Sequence, residues 1–232
     1  GVETGTVSIT VGDPVLPGCT PADSRNARYV CRVYLDLLNR TAESGGKAYW
    51  LGRLDKGESR VKIIRTYQTT PEYRRTVIND IYKTFLNRKA DSAGISYWSG
   101  RLLKGANPDQ IRSLVIGSSE YLTRAGGTSQ GFAAALYQQV LRRPATTPEI
   151  NAVVAKINGG TSRASIGAAL LASEAGDTVT VAGIYEHYLR RTPPRDRGAA
   201  RTVVPCAARA GGVPVADIGA SCSTSTLLAV FL

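Results

Sequence analysis

"YKTFLNRKADSAGISYWSGRLLKG", Tyr82–Gly105, decides the reading of this chain, because the chain contains it twice. The earlier copy is "YLDLLNRTAESGGKAYWLGRLDKG", Tyr34–Gly57. The opening heptad returns as "YQQVLRR" from Tyr137 and "YEHYLRR" from Tyr185, so the four tyrosines stand 48, 55 and 48 residues apart. Self-similarity at a fixed period of this length marks a repeat architecture. The longer middle interval falls at "RAGGTSQG", Arg124–Gly131, which has the composition of a loop insertion.

Each heptad rides on one apolar pattern. Val33, Tyr34, Leu37 and Leu38 correspond to Ile81, Tyr82, Phe85 and Leu86. They correspond also to Leu136, Tyr137, Val140 and Leu141, then to Ile184, Tyr185, Tyr188 and Leu189. Apolar pairs recurring every four residues draw a broad stripe along a helix. Each helix closes on an arginine: Arg40, Arg88, Arg143 and Arg191. There a cation complements the helix dipole, or reaches carbonyls and carboxylates of the next helix.

A second helix runs from Glu43 or Asp91 as start residue to Gly57 or Gly105 as stop. A third is predicted over Ser59–Gln68, Asn107–Gly117 and Ser162–Ala172, followed by starts at Thr70 and at Ser118 or Ser119. Pro71, Glu72 and Tyr73 then open the long helix of the next repeat. The fourth copy degenerates in "ARTVVPCAARAGG", where Pro205 interrupts the second helix.

Tyr49-Trp50 and Tyr97-Trp98 coincide in the second helix, and Val153 and Val154 stand near that place in the third copy. A position filled by Trp, Trp and Val is a buried position. Both tryptophans are therefore expected in the core with their indole N–H groups bonded, rather than on a sugar platform. For Tyr49 and Tyr97 both core and surface stay open.

The ends differ from the repeats. Val7, Ile9 and Val11 alternate with polar residues in "TGTVSITVGDP", Thr4–Pro14, as in a half-buried strand. Such a strand reads either as the end of an upstream sandwich domain or as an arm donated to a neighbour. "GDPVLPGCTPAD", Gly12–Asp23, is a linker stiffened by three prolines. The last stretch, "STSTLLAVFL", is apolar through Leu228, Val230 and Phe231, which docks on the chain itself or forms a second interface. The chain opens on Gly1 with no Met and no secretory leader pattern, as expected of a processed or trimmed product.

Over 232 residues the net charge is +11, which suits an anionic partner. The densest cluster holds Arg190, Arg191, Arg195, Arg197 and Arg201, a candidate polyanion face or simply a solvated one. No nucleic-acid fold signature accompanies it, so nucleic acid is not an expected partner. No apolar run approaches ~20 residues, so no membrane span is expected.

The four cysteines form two pairs near the ends, and Cys19–Cys31 with Cys206–Cys222 is the simplest disulfide reading. Disulfides imply a secreted or cell-surface protein; four free thiols in a cytosolic one is the alternative. With His187 as the only histidine and no C-x-x-C spacing, neither a zinc site nor a histidine triad is expected, and His187 reads as structural or surface. Glu72 and Glu120 recur, but at helix starts, where an acid satisfies free N–H groups. No catalytic group, metal or cofactor is expected.

The pattern vYxxLLnR, then (D/E)xxGxxYWxxRLxxG, then (S/T)xEYxxR resembles the DUF4214 family, itself similar to phycobilisome linker domains. The residues carrying it are Tyr34–Arg40 and Tyr82–Arg88, Glu43 and Asp91, Gly46 and Gly94, and the two Tyr-Trp pairs. Glu72-Tyr73 and Glu120-Tyr121 complete it. The match is full from about Ala27 to Ala125, weaker to Asp177 and a remnant beyond. The resemblance implies an all-helical interaction or scaffold module of bacterial secreted or surface proteins, without catalysis.

The expected fold is thus all-α, an array of four repeats of ~48 residues, each with two to three helices, behind a strand-like arm. The expected divisions are an arm and linker over 1–26, three repeats over 27–177, and a degenerate fourth repeat with a disulfide-bonded apolar tail over 178–232. The leading functional expectation is a secreted or cell-surface structural protein, a homo-oligomer or polymer built through arm and tail. A surface module for anionic cell-wall glycan or another polyanion is the second. A cell-wall hydrolase using Glu72 and Glu120 is the third.

Overall fold

The computed structural model describes residues 16–20 and 22–188. The described residues form eleven helices and no strand, so the chain is all-helical where it is described. The strand-like arm with Val7, Ile9 and Val11, the Cys206–Cys222 pair, the arginine-rich stretch and the apolar tail lie outside the described residues. So does Arg191 of the fourth heptad.

Two compact units are present, one ending at Glu58 and the other beginning at Ser59. The first unit holds α1 (Arg25–Leu38) and α2 (Ser44–Asp55). Its apolar face is the stripe read from sequence: Val33 is fully buried, and Tyr34, Leu37, Leu38, Trp50 and Leu54 are buried with it. Each such side chain taken from water contributes roughly 1.5–3 kcal/mol. The segment ahead of α1 is tied down two ways. Cys19 is disulfide-bonded to Cys31 on α1. Lys47 Nζ on α2 donates to Asp23 at 2.7 Å. Asn26 on α1 donates to Asp55 on α2 at 3.1 Å, which joins the two helices.

The second unit holds α3 (Arg60–Gln68), α4 (Pro71–Leu86), α5 (Ser92–Leu103), α6 (Pro108–Ile116), α7 (Ser119–Arg124), α8 (Ser129–Val140), α9 (Thr147–Asn158), α10 (Arg163–Leu171) and α11 (Glu174–Tyr188). Its helices begin where short polar side chains accept the orphan backbone N–H groups. Thr70 accepts from Tyr73 N at 3.2 Å, Asp91 from Gly94 N at 2.7 Å, and Ser118 from Tyr121 N at 3.1 Å. Asn107 and Gln110 form a reciprocal capping box on α6.

The insertion read from sequence acts on one junction. Pro71–Leu86 is a single helix, whereas its counterpart is split into α7 and α8. The break falls at Gly126 and Gly127, with φ of 90° and 70°, a conformation open to glycine. At that break Tyr121 lies edge-on to Phe132, with ring centroids 5.7 Å apart, and 6.3 Å from Phe85. These rings join α4, α7 and α8 in the core of the second unit. The helices α6 and α10 pack closely there as well, since a Cβ on Gly167 would meet Ile116 at 2.8 Å.

Candidate interaction surface

The repeated heptad builds one clasp three times. Its helix ends on a residue in the left-handed region: Asn39 at φ 53°, Asn87 at φ 48° and Arg142 at φ 54°. Asparagine tolerates this conformation better than most side chains do, which accounts for the motif's "NR". The turn sends the following arginine back over the heptad's own tyrosine. Arg40 lies 4.8 Å from the Tyr34 ring centroid, Arg88 5.0 Å from Tyr82, and Arg143 5.4 Å from Tyr137. Each guanidinium is therefore held by cation–π attraction.

This corrects the helix-dipole reading of the repeat arginines. Arg40, Arg88 and Arg143 lie past the ends of α1, α4 and α8, so none occupies a last helical turn. The other half of that expectation, a reach to carboxylates, describes the geometry. Arg40 pairs with Glu43. Arg143 donates to both oxygens of Glu149, at 2.9 and 2.6 Å. Arg88 forks onto both oxygens of Glu120 on α7.

Glu43, Glu120 and Glu149 are thereby occupied. Glu120 is held down to about 2 from its ordinary 4.5, first by the Arg88 bond and then by Arg124. Glu149 is held down to about 2 by Arg143, with the Thr146 backbone N–H adding to it. Carboxylates held this low are poor proton acceptors and donors near neutral pH. Glu72 and Glu120 stand in the first turns of α4 and α7, as read from sequence.

The two Tyr-Trp pairs separate inward from outward. Trp50 and Trp98 are buried, at 8% and 9% exposure, and Val153 takes the corresponding place in α9 at 5%. The register therefore sets Ala152, not a valine, opposite the tyrosines. Trp98 Nε1 donates to the Tyr82 hydroxyl at 2.9 Å, sixteen residues back. Tyr34 and Tyr185 are buried, while Tyr82 and Tyr137 are half-buried. The glycine of the motif makes room for this arrangement. A Cβ on Gly46 would stand 2.1 Å from the Tyr34 hydroxyl, and one on Gly94 3.1 Å from that of Tyr82.

Tyr49 and Tyr97 resolve to the surface, each 57% exposed. Each rests edge-on against its tryptophan, with centroids 4.9 and 4.7 Å apart. Four residues on, Arg53 and Arg101 donate to the tyrosine hydroxyls, both at 3.1 Å. The sequence shows these arginines recurring but does not reveal this clamp; the i, i+4 spacing from an aromatic to an arginine on one helix face was the signal. Arg53 also donates to Glu58 at 2.6 Å, whereas the residue five on from Arg101 is Ala106.

One grouping of metal-ligand side chains occurs among the described residues: Cys19, Asp23 and Cys31. Its sulfurs are joined in the disulfide and its carboxylate accepts from Lys47 and from the Thr20 backbone N–H, so it offers no thiolates. No described helix is long and apolar enough to cross a membrane.

A helical unit that recurs along the chain with the same internal clasp defines a helical repeat protein. The chain belongs to the family described as "Domain of unknown function (DUF4214)", whose model matches residues 20–77, 65–113 and 112–178. Searches of curated proteins and of solved structures found no match.

Proposed function

We propose that this chain is a non-catalytic structural or assembly module of the cell exterior, which holds copies of itself or a surface partner. The observation that carries this reading is the recurrence of an exposed, immobilised aromatic. Tyr49 and Tyr97 occupy one position in two repeats, are equally exposed, and have their hydroxyls held by an arginine at 3.1 Å. Tyrosine and arginine are enriched where proteins meet partners, and a ring already held still loses little entropy on contact. The disulfide supports an oxidising compartment.

Light scattering and negative-stain microscopy of the full chain test the reading. Assemblies are expected, and Tyr49→Ser with Tyr97→Ser should reduce them. A uniform monomer at every concentration, with no retention of any surface component, overturns it. Deleting residues 1–13 tests the arm separately: an unchanged oligomer removes strand donation through Val7, Ile9 and Val11.

The net charge of +11 supports a second reading, in which the arginine-rich stretch including Arg195 and Arg197 holds an anionic wall glycan or other polyanion. Affinity for such a polymer must fall steeply with added salt. Salt-insensitive or absent binding eliminates it.

A further inference from the structure

We propose that the second unit carries a binding site for a small organic carboxylate with an apolar body, in a cleft of about 380 Å³ formed by the end of α3, the first half of α4, the end of α5 and the start of α6. The site is independent of the assembly reading above. Its volume lies in the range of small-molecule pockets. Its chemistry is one-sided. Arg74 is the cation among the lining residues, and no acidic residue lines the cleft. Val77, Leu102 and Leu103 supply apolar wall, while Tyr73 and Asn107 supply polar groups.

Arg74 is the reason to assign an anion. Its Nη1 donates to the Thr69 carbonyl at 2.6 Å. Its Nε is buried and has no hydrogen-bond partner. Among the described residues no carboxylate pairs with it, in contrast to Arg88, which pairs with Glu120, Arg112 with Asp109 and Arg143 with Glu149. The buried Nε is closed to a ligand, so the donor left for one is Nη2, which makes no hydrogen bond; a carboxylate is the group that accepts from it and neutralises the uncompensated charge.

Leu103 gives the body of the ligand its character. It is 69% exposed, the most exposed large apolar side chain among the described residues, and it stands at the cleft. The same position in α2 holds Asp55, so the repeat does not require leucine there. A ligand lying between Leu103 and Val77 with its carboxylate on Arg74 covers the leucine and neutralises the arginine together.

The test uses the full chain with 4-phenylbutyrate as probe and 4-phenylbutanol as its uncharged counterpart, followed by amide chemical shifts and calorimetry. Phenylbutyrate should saturate and move the amides of residues 68–77 and 102–107, and the alcohol should bind about tenfold or more weakly, since a charged hydrogen bond is lost. Arg74→Gln should reduce phenylbutyrate affinity by a similar factor, while Arg75→Gln, an exposed neighbour, should leave it unchanged. Leu103→Ser should weaken both probes. Should Arg74→Gln fail to fold, Leu103→Ser and the alcohol decide the question on the folded protein. Absence of saturable binding, equal binding of acid and alcohol, or an affinity indifferent to Arg74→Gln in folded protein overturns the site.

Discussion

Arg88 and Glu120, thirty-two residues apart, meet in a two-bonded fork: Nε and Nη2 of the arginine each lie 2.7 Å from a carboxylate oxygen. The fork closes the heptad at the end of α4 onto the first turn of α7. The third repeat has Ala175 where Glu120 would fall, and there Arg143 takes Glu149 from the following helix instead. The clasp is thus maintained by whichever carboxylate the turn brings near. Both partners of the Arg88 fork are about a third exposed, at 35% and 36%, so solvent screening limits its strength. Arg88→Lys keeps the charge but loses the fork and the guanidinium's contact over the Tyr82 ring. It should destabilise the second unit by about 1 kcal/mol in urea unfolding, and a change indistinguishable from zero would show the fork to be decorative.

The same pair sets an acid limit. The Arg88 bond and Arg124 hold the Glu120 carboxyl at about 2 when folded, below its ordinary 4.5. A depressed folded value means that the charged form stabilises the fold. The contribution is complete above the unfolded value and is lost as pH falls through the folded one. The stability advantage of the native protein over Glu120→Gln should therefore be constant near neutrality, shrink below pH 4.5 and vanish near pH 2. An advantage that stays level across this window would contradict the linkage.

The left-handed turn that aims the arginine is the next testable part. Asn87 ends α4 at φ 48° and ψ 37°. Replacing it by alanine puts a Cβ into a conformation that costs roughly 1–2 kcal/mol for an ordinary L-residue, whereas glycine adopts it freely. Asn87→Ala should lower the unfolding midpoint and Asn87→Gly should not. If the two behave alike, the turn does not require this geometry.

Much of this was legible in the sequence because it is local. The helices, their caps at Thr70, Asp91 and Ser118, the broken junction at Gly126 and the buried tryptophans follow from periodicity and from short polar side chains. The direction of Arg40, Arg88 and Arg143 did not follow. It depends on the sign of one φ angle at the preceding residue, and an arginine following a helix reads equally well as a dipole partner. Glu120 was legible as a first-turn acid but not as a partner for Arg88, because the pairing needs the whole second and third helix between them. The surface position of Tyr97 stayed open because the residue beside it decides which face is inside. The cleft at Arg74 left no trace in any motif, since its lining comes from four separate helix ends.

In the first unit the leading segment depends on a covalent tie. Cys19 and Cys31 are twelve residues apart, and Cys31 is fully buried on α1. Opening a loop of this length restores roughly 3 kcal/mol of unfolded-state entropy in the chain-entropy model. Reduction, or Cys19→Ser with Cys31→Ser, should expose amides of α1 to hydrogen exchange while those of α6 and α8 keep their protection. Equal loss of protection throughout the chain would mean that the two units do not unfold separately.

The neighbours Tyr97 and Trp98 offer the sharpest contrast, since one residue of register separates surface from core. Trp98 is 9% exposed and bonded to Tyr82, so Trp98→Ala opens a cavity and strands that hydroxyl, costing about 3–5 kcal/mol. Trp98→Val should be milder, because the third repeat accommodates Val153 at that position. Tyr97 is 57% exposed and touches mainly its own helix, through Trp98 and Arg101. Tyr97→Ser should shift stability by no more than about 0.5 kcal/mol, as surface substitutions do. The measurement is urea unfolding of the three variants beside light scattering of the same samples. A stable Tyr97→Ser protein with impaired assembly separates a contact residue from a packing residue. A strongly destabilised Tyr97→Ser would return the tyrosine to the core and remove the observation on which the assembly reading rests.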